Sequence, residues 1–132
     1  MSLWILDKSA HARLLAGHSA PADIDLADLA MCDMSVLEWL YSARSARNYD
    51  NQQESLRAYQ SVAAPPDIFN RVRRLQRDLA HHQGMWHRTA IPDLFIAETA
   101  LHYEAGVLHL DRDYARIAAV RPGLRTRQLG RG

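Results

Sequence analysis

The sequence predicts an α/β fold built on a central, mainly parallel sheet. Short apolar runs at residues 3–6, 29–34 and 107–110 have the length of buried strands. Segments with the apolar spacing of helices stand between them, and this alternation of strand and helix is typical of parallel sheets. With 132 residues, of which 48% are hydrophobic, the chain suits one domain spanning residues 1–132.

Composition narrows the class of protein. The single cysteine, Cys32, excludes an intrachain disulfide and favours a reducing compartment. No apolar run approaches the roughly 18 residues of a membrane span, and residues 1–10 lack the basic and apolar parts of a signal peptide. We therefore expect a soluble, cytoplasmic protein. Because 16 Lys and Arg against 15 Asp and Glu leave a net charge of +1, any polyanion site must be local.

The first predicted strand is followed at once by an acid and a helix. Asp7 ends the strand, and Ser9 is expected to cap a helix that Gly17 terminates. Residues 19–28, rich in Ala, Asp and Pro, predict a loop and a short helix before the second strand at residues 29–34.

The second helix is predicted to begin at Ser35, a good N-cap, with Glu38 at capping-box spacing. Glu38 therefore has two interpretations: the partner in that box, or a functional carboxylate in the first turn of a helix that follows a strand. Residues 48–54 predict a polar loop that opens a helix reaching Tyr59, and residues 61–64 predict a short extended piece.

A longer helix is predicted over residues 67–82. It carries four arginines, Arg71, Arg73, Arg74 and Arg77. They either face solvent, as charged helix faces usually do, or form a basic rim for a phosphate backbone. The loop predicted at residues 83–89 contains Trp86, which is either a buried anchor or an exposed platform on which a base could stack.

Acids occupy two further junctions between buried structure and solvent. Pro92 suits a first helical turn, and a carboxylate at Asp93 is favoured by the positive end of that helix. Asp111 follows the third apolar run and would project where open parallel sheets bind ligands. Each has a simpler interpretation, Asp93 as a first-turn charge and Asp111 as the cap of a helix at residues 112–120. An edge strand is predicted at residues 124–129.

If the sheet is parallel, the acids that follow its strands or open its helices share one edge. They are Asp7, Glu38, Asp93, Asp111 and, two residues on, Asp113. Carboxylates 4 Å apart repel by roughly 4 kcal/mol per pair at an effective dielectric near 20, so such a cluster needs a cation. Oxygen ligands select Mg²⁺ or Mn²⁺, and the histidines match no zinc spacing. The matching chemistry is metal-assisted phosphodiester hydrolysis.

Four segments also carry a resemblance to a known family. They are LDKSA at residues 6–10, VLEWLYSAR around Glu38, IPDLFIAETAL at residues 91–101 and VLHLDRDYARIA at residues 107–118. In this order and spacing they resemble the PIN-domain ribonucleases, and in particular the VapC toxins of bacterial VapBC toxin–antitoxin systems. The resemblance spans nearly the whole chain. It implies a three-layer α/β/α sandwich and an endoribonuclease that inhibits growth.

The resemblance also assigns roles to residues. It implies that Mg²⁺ is held by a catalytic quartet, Asp7, Glu38, Asp93 and Asp111, with Asp113 as an auxiliary acid. Ser9 matches the hydroxyl that supports the first aspartate, whereas Lys8 stands where many relatives carry a small hydroxyl residue. The implied partners are RNA, a VapB-like antitoxin and a second copy of the chain.

The sequence leaves the contacts to RNA and one rival function open. Arg112 and Arg116, the arginines nearest in sequence to the last acids, are expected to bind RNA. The rival is a non-catalytic, receiver-like module that binds Mg²⁺ and accepts a phosphoryl group, but Asp50, its mid-chain acid, lies in a polar stretch. Cleavage of DNA flaps would use the same metal chemistry.

Overall fold

The computed structural model describes residues 2–82 and 84–130. Its strands form one sheet in the order β3-β2-β1-β4-β5, and every pairing between neighbours is parallel. The strands are β1 (Trp4–Leu6), β2 (Leu29–Cys32), β3 (Gln60–Val62), β4 (Gly106–His109) and β5 (Arg125–Gln128). The parallel sheet and the position of β5 at its edge confirm the sequence prediction.

Helices cover both faces of this sheet. They are α1 (Lys8–Leu15), α2 (Asp33–Tyr41), α3 (Ala46–Ser55), α4 (Ile68–His81), α5 (Ile91–His102) and α6 (Asp113–Val120). Because side chains alternate along a strand, Ile5 packs with α4, α5 and α6, whereas Leu6 packs with Ala10 of α1 on the other face. The three-layer α/β/α arrangement is therefore confirmed. No helix of the described residues is long and apolar enough to cross a membrane.

Three local predictions were wrong. The N-cap of α1 is Asp7 rather than Ser9, because the Asp7 carboxylate accepts a hydrogen bond from the backbone N–H of Ala10. Helix α2 starts directly after β2, so its N-cap is Cys32 rather than Ser35. Ser35 lies inside the first turn and forms the capping box with Cys32, and Glu38 takes no part in that box. Residues 48–54, predicted as a loop, belong to α3, whose N-cap is Ser45.

The topology of the sheet brings separate parts of the chain to one edge. Strands β1 and β4 are neighbours with Leu6 opposite Leu108, and the backbone N–H of Asp7 donates to the carbonyl of Leu108 at 3.2 Å. The segments that follow these two strands therefore leave the sheet side by side. Helix α5, which packs on β1 and β4, places its first turn at the same edge.

Candidate metal centre

An open crevice of about 690 Å³ lies at the carboxyl edge of the sheet. Each of the five acids predicted from the sequence contributes to its wall: Asp7, Glu38, Asp93, Asp111 and Asp113. The wall also contains the predicted supporting and basic residues Lys8, Ser9, Arg112 and Arg116. The fold thus brings together side chains that are as far apart in sequence as Asp7 and Arg116.

Asp7 is held rigidly at the floor of the crevice. The side chain is buried, and its Oδ1 accepts hydrogen bonds from the Ser9 hydroxyl at 2.6 Å and from the Ala10 backbone N–H at 2.9 Å. Burial raises the pKa of Asp7, while these two hydrogen bonds act in the opposite direction. Ser9 therefore orients the carboxylate and favours its charged form, instead of capping the helix.

Asp93 is the acid whose charge is least compensated. It lies in the first turn of α5, is 6% exposed, and its Oδ1 accepts a hydrogen bond from the Tyr114 hydroxyl at 3.3 Å. Its buried Oδ2 has no hydrogen-bond partner among the described residues. Burial, followed by the negative charges of the neighbouring acids, raises the pKa of Asp93 to about 7. A buried oxygen without a donor, surrounded by other carboxylates, is suited to a cation.

Asp111 and Asp113 complete a group of ligands around Asp93. One carboxylate oxygen of each of these three residues lies within 4.8 Å of the others, which is close enough for one metal ion. Asp111 also accepts a hydrogen bond from the backbone N–H of Asp113 at 2.9 Å, which fixes the start of α6. The N-cap of α6 is Arg112, so Asp111 is not the helix cap of its simpler interpretation, and its carboxylate lines the crevice. The donors are oxygens only, which suits a hard divalent cation.

Glu38 adds a partly buried carboxylate to the wall of the crevice. It lies in the second turn of α2, and its pKa is raised by burial and by Asp7 but lowered by the ammonium of Lys8. Lys8 is exposed at the mouth of the crevice. Because Ser35 forms the capping box, Glu38 does not satisfy the helix end, and its carboxylate faces the crevice.

Trp86 supports Arg116, one of the two arginines in the wall of the crevice. The Arg116 guanidinium lies over the Trp86 ring, 5.5 Å from its centroid, and His82 stacks on that ring at 4.4 Å. Trp86 is partly buried and packs against the core. Of the two sequence interpretations, the structure therefore supports the anchor. Arg112 and Arg116 themselves are exposed.

Two buried residues behind the acids were not singled out in the sequence analysis. Tyr114, fully buried in α6, was missed, although its spacing with the buried Ile117 marks the inner face of that helix. The ring of His109 in β4 lies 4.5 Å from the Tyr114 ring, centroid to centroid. Burial lowers the pKa of His109, and neither of its ring nitrogens has a hydrogen-bond partner among the described residues, so it packs as a core side chain behind the acids.

Comparison with known proteins agrees with this geometry. The model of the PIN domain family matches residues 3–120. The chain belongs to the PIN-domain family. Within that family it groups with the VapC ribonucleases: Ribonuclease VapC17 of Mycobacterium tuberculosis is 72% identical over 132 residues, which are 100% of this chain and 99% of the relative. Ribonuclease VapC18 of the same organism is 39% identical over 93 residues, which are 70% of this chain and 68% of the relative.

Solved structures share the PIN fold at low sequence identity. DNA-bound VapBC from Salmonella typhimurium matches with a TM-score of 0.74 and 17% identity over 97% of this chain and 98% of that chain. FitAB bound to a DNA fragment matches with a TM-score of 0.70 and 14% identity over 96% and 94%. At these identities the likeness establishes the PIN fold of this chain.

Proposed function

We propose that this VapC-type PIN domain is a Mg²⁺-dependent endoribonuclease, with Mn²⁺ as a possible substitute. It hydrolyses RNA phosphodiester bonds in the cytoplasm, inhibits growth as the toxin of a type II toxin–antitoxin pair, and works as one domain over residues 1–132. Similarity to Ribonuclease VapC17 along the full chain supports the activity. The observation that carries the metal dependence is the unpartnered, buried Oδ2 of Asp93 among four other carboxylates.

The five acids would bind the ion in two ways. Asp93, Asp111 and Asp113 would bind it directly, since their oxygens already lie within reach of one point. Asp7 and Glu38 are the other two members of the catalytic quartet, and they would bind the ion directly or through water. When bound, the divalent ion supplies Lewis acidity at the scissile phosphate. Ser9 keeps Asp7 charged and oriented for this task.

The remaining residues of the crevice handle the substrate. Arg112 and Arg116 are exposed on its wall, where their guanidinium groups would pair with RNA phosphates on either side of the scissile bond. Burial raises the pKa of Glu38, and the ammonium of the nearby Lys8 acts against that increase and so favours the charged carboxylate. The protein thus contributes to catalysis by holding the ion with its acids and by positioning the substrate with these cations, and it forms no covalent bond to the substrate.

The proposed macromolecular partners are a VapB-like antitoxin and a second copy of the chain. Solved VapBC complexes among the structural neighbours support the first. Helix α2 exposes Leu37 at 60% and Tyr41 at 91%, next to Glu38 of the crevice, so an apolar segment of the antitoxin could cover these side chains and the acids together. Exposed Phe69 and Ile91 offer apolar area for a homodimer.

Cleavage assays with matched substrates test this function. The chain should cleave labelled single-stranded RNA with Mg²⁺ or Mn²⁺, lose that activity in EDTA, and regain it when excess Mg²⁺ is restored. Cleavage of single-stranded DNA in preference to RNA would favour the DNA nuclease instead. RNA cleavage that persists in EDTA would exclude the metal mechanism.

A phosphotransfer assay separates the receiver-like alternative. Incubation with Mg²⁺ and a small-molecule phosphodonor should leave the chain unmodified, because Asp50 lies exposed on α3 and not at the end of a strand. A stable aspartyl phosphate would contradict the nuclease proposal.

A further inference from the structure

Helix α4 carries a trough lined by arginines, outside the acidic crevice. Two neighbouring cavities of about 410 and 280 Å³ share Arg73 and Arg77 in their walls. Asn70 and Arg74 complete the first, and Gln76, Ala80 and His87 complete the second. No carboxylate belongs to the lining of either cavity. We call this surface the α4 trough.

The positive charges of the α4 trough are largely uncompensated. Arg73 and Arg74 form no ion pair within the described part of the chain, although the charge of Arg74 helps to lower the pKa of Asp67. Arg77 lies 3.8 Å from Asp78, but both side chains are well exposed, so this pair contributes little. The trough thus concentrates three cations whose compensation is partial. Arg74 acts on the carboxylates of Asp67 and Glu98 without a close pair, Arg77 has one exposed pair with Asp78, and Arg73 has no ion pair among the described residues.

Arg71, the fourth arginine of α4, has a structural role and serves as a comparison. Arg71 is partly buried, donates a hydrogen bond to Asp67 at 3.0 Å, and lies 3.8 Å from the buried carboxylate of Glu98. Its charge is used within the fold. The same explanation does not cover Arg73, Arg74 and Arg77, whose guanidinium groups face the trough.

A short turn joins the α4 trough to the acidic crevice. The 3-10 turn Trp86–Arg88 packs on α4, and its His87 lies in the wall of the trough. The preceding residue, Trp86, carries the guanidinium of Arg116, which lies in the wall of the crevice. The turn thus contacts the crevice through Trp86 and Arg116 and the trough through His87, so the two surfaces are neighbours.

We infer that the α4 trough binds the phosphodiester backbone of RNA beyond the scissile bond. Guanidinium groups are well suited to phosphate oxygens, and the amides of Asn70 and Gln76 add neutral donors. A positively charged groove of this kind follows a single-stranded backbone without reading its sequence. This inference rests on the proposed ribonuclease function and extends it, because it gives the substrate a second contact surface outside the catalytic crevice.

Binding measurements on the full chain in EDTA test the α4 trough without cleavage. Anisotropy of a fluorescein-labelled single-stranded oligoribonucleotide gives the affinity at several salt concentrations. In Arg73→Gln/Arg74→Gln/Arg77→Gln, loss of three phosphate contacts should reduce the slope of log affinity against log salt by about 2. The same loss should weaken binding roughly 100-fold at about 0.1 M salt.

Two further variants exclude changes in net charge and in folding as the cause. Arg44→Gln/Arg47→Gln/Arg57→Gln removes the same charge from exposed positions around α3 and should keep the wild-type affinity and slope. A triple arginine-to-lysine variant of the trough keeps the point charges and should restore most of the slope. If lysine restores binding, the loss in the glutamine variant comes from the missing positive charges and not from a structural role of the three arginines.

The outcomes separate this inference from the proposed function. Wild-type chain that cleaves RNA in Mg²⁺, together with a trough variant that binds RNA as tightly as the wild type, would overturn the trough alone. Equal losses in the trough and α3 variants would overturn it too, because the effect would then follow net charge. Wild-type chain that neither binds nor cleaves RNA would overturn both proposals.

Discussion

Two buried acids on one helix have opposite surroundings. Asp93 and Glu98 of α5 are 6% and 4% exposed, so both pay a similar cost of desolvation. Glu98 is paired with Arg121 at 3.2 Å and lies 3.8 Å from Arg71. Asp93 has one hydroxyl donor, at Tyr114, and is otherwise surrounded by carboxylates. Among the described residues the fold supplies cations to Glu98 and none to Asp93, which is the contrast expected if Asp93 binds an external cation as proposed.

The pKa values of Glu98 and Asp93 reflect these different surroundings. The pKa of Glu98 is raised by burial, but Arg121 and Arg71 act against that increase. The pKa of Asp93 is raised by burial and again by every neighbouring acid, to about 7. An arrangement that destabilises a charge in the metal-free protein is typical of functional sites rather than of structural ion pairs.

The largest expected effect comes from Asp93→Asn, which keeps the shape of the side chain and removes its charge. RNA cleavage in Mg²⁺ should fall by more than about 100-fold, because even residues that only support a metal ligand are worth 10- to 100-fold. In EDTA at neutral pH the variant should unfold at the same temperature as the wild type or higher. Initial cleavage rates and thermal denaturation measure the two quantities. Retained activity would show that Asp93 is not a ligand.

Glu98→Gln makes the reciprocal change in the same helix. We expect a loss of about 2 kcal/mol in the free energy of unfolding, because the Arg121 guanidinium loses its buried carboxylate partner and keeps the half-exposed Asp78 and the Val120 carbonyl. Cleavage of RNA below the unfolding transition should stay within about twofold of the wild type. Urea denaturation and initial rates give both numbers. A stable but inactive Glu98→Gln would mean that the two regions are not separate in function.

The pH dependence of stability sharpens the comparison further. Because the pKa of Asp93 is about 7 in the metal-free fold against 3.8 ordinarily, the folded state holds a proton that the unfolded state has released. The free energy of unfolding should therefore decrease as pH rises from about 4 to about 7. The difference between wild type and Asp93→Asn, measured by urea denaturation in EDTA, isolates this group. Excess Mg²⁺ should flatten the difference, and a wild-type stability that rose relative to Asp93→Asn across this window would contradict the assignment.

The sequence was sufficient for the architecture and for the set of acids. Strands as short as β1 were recognisable because they are buried on both faces and therefore apolar throughout. The acids were recognisable because they stand where such strands end or helices begin. Because all the strands run parallel, their carboxyl ends lie at one edge of the sheet. The acids therefore meet there even where the predicted first residue of a helix was wrong.

Helix starts and the polar α3 were not predictable in the same way. Helix α2 follows β2 with no intervening loop, so Cys32 occupies the cap position that Ser35 would otherwise suit. Helix α3 buries none of its residues and so lacks the apolar periodicity that marks a helix. The hydrogen bond from Tyr114 to Asp93 depends on the packing of α6 against α5, which no local pattern encodes.

Anomalous diffraction from crystals grown with Mn²⁺ tests the metal centre most directly. We predict a manganese peak in the crevice, within coordination distance of Asp93 and of Asp111 or Asp113, and its absence in Asp93→Asn crystals under the same conditions. If the wild-type protein cleaves RNA in that buffer but shows no peak at these carboxylates, or a peak elsewhere on the surface, the acidic crevice is not the metal centre.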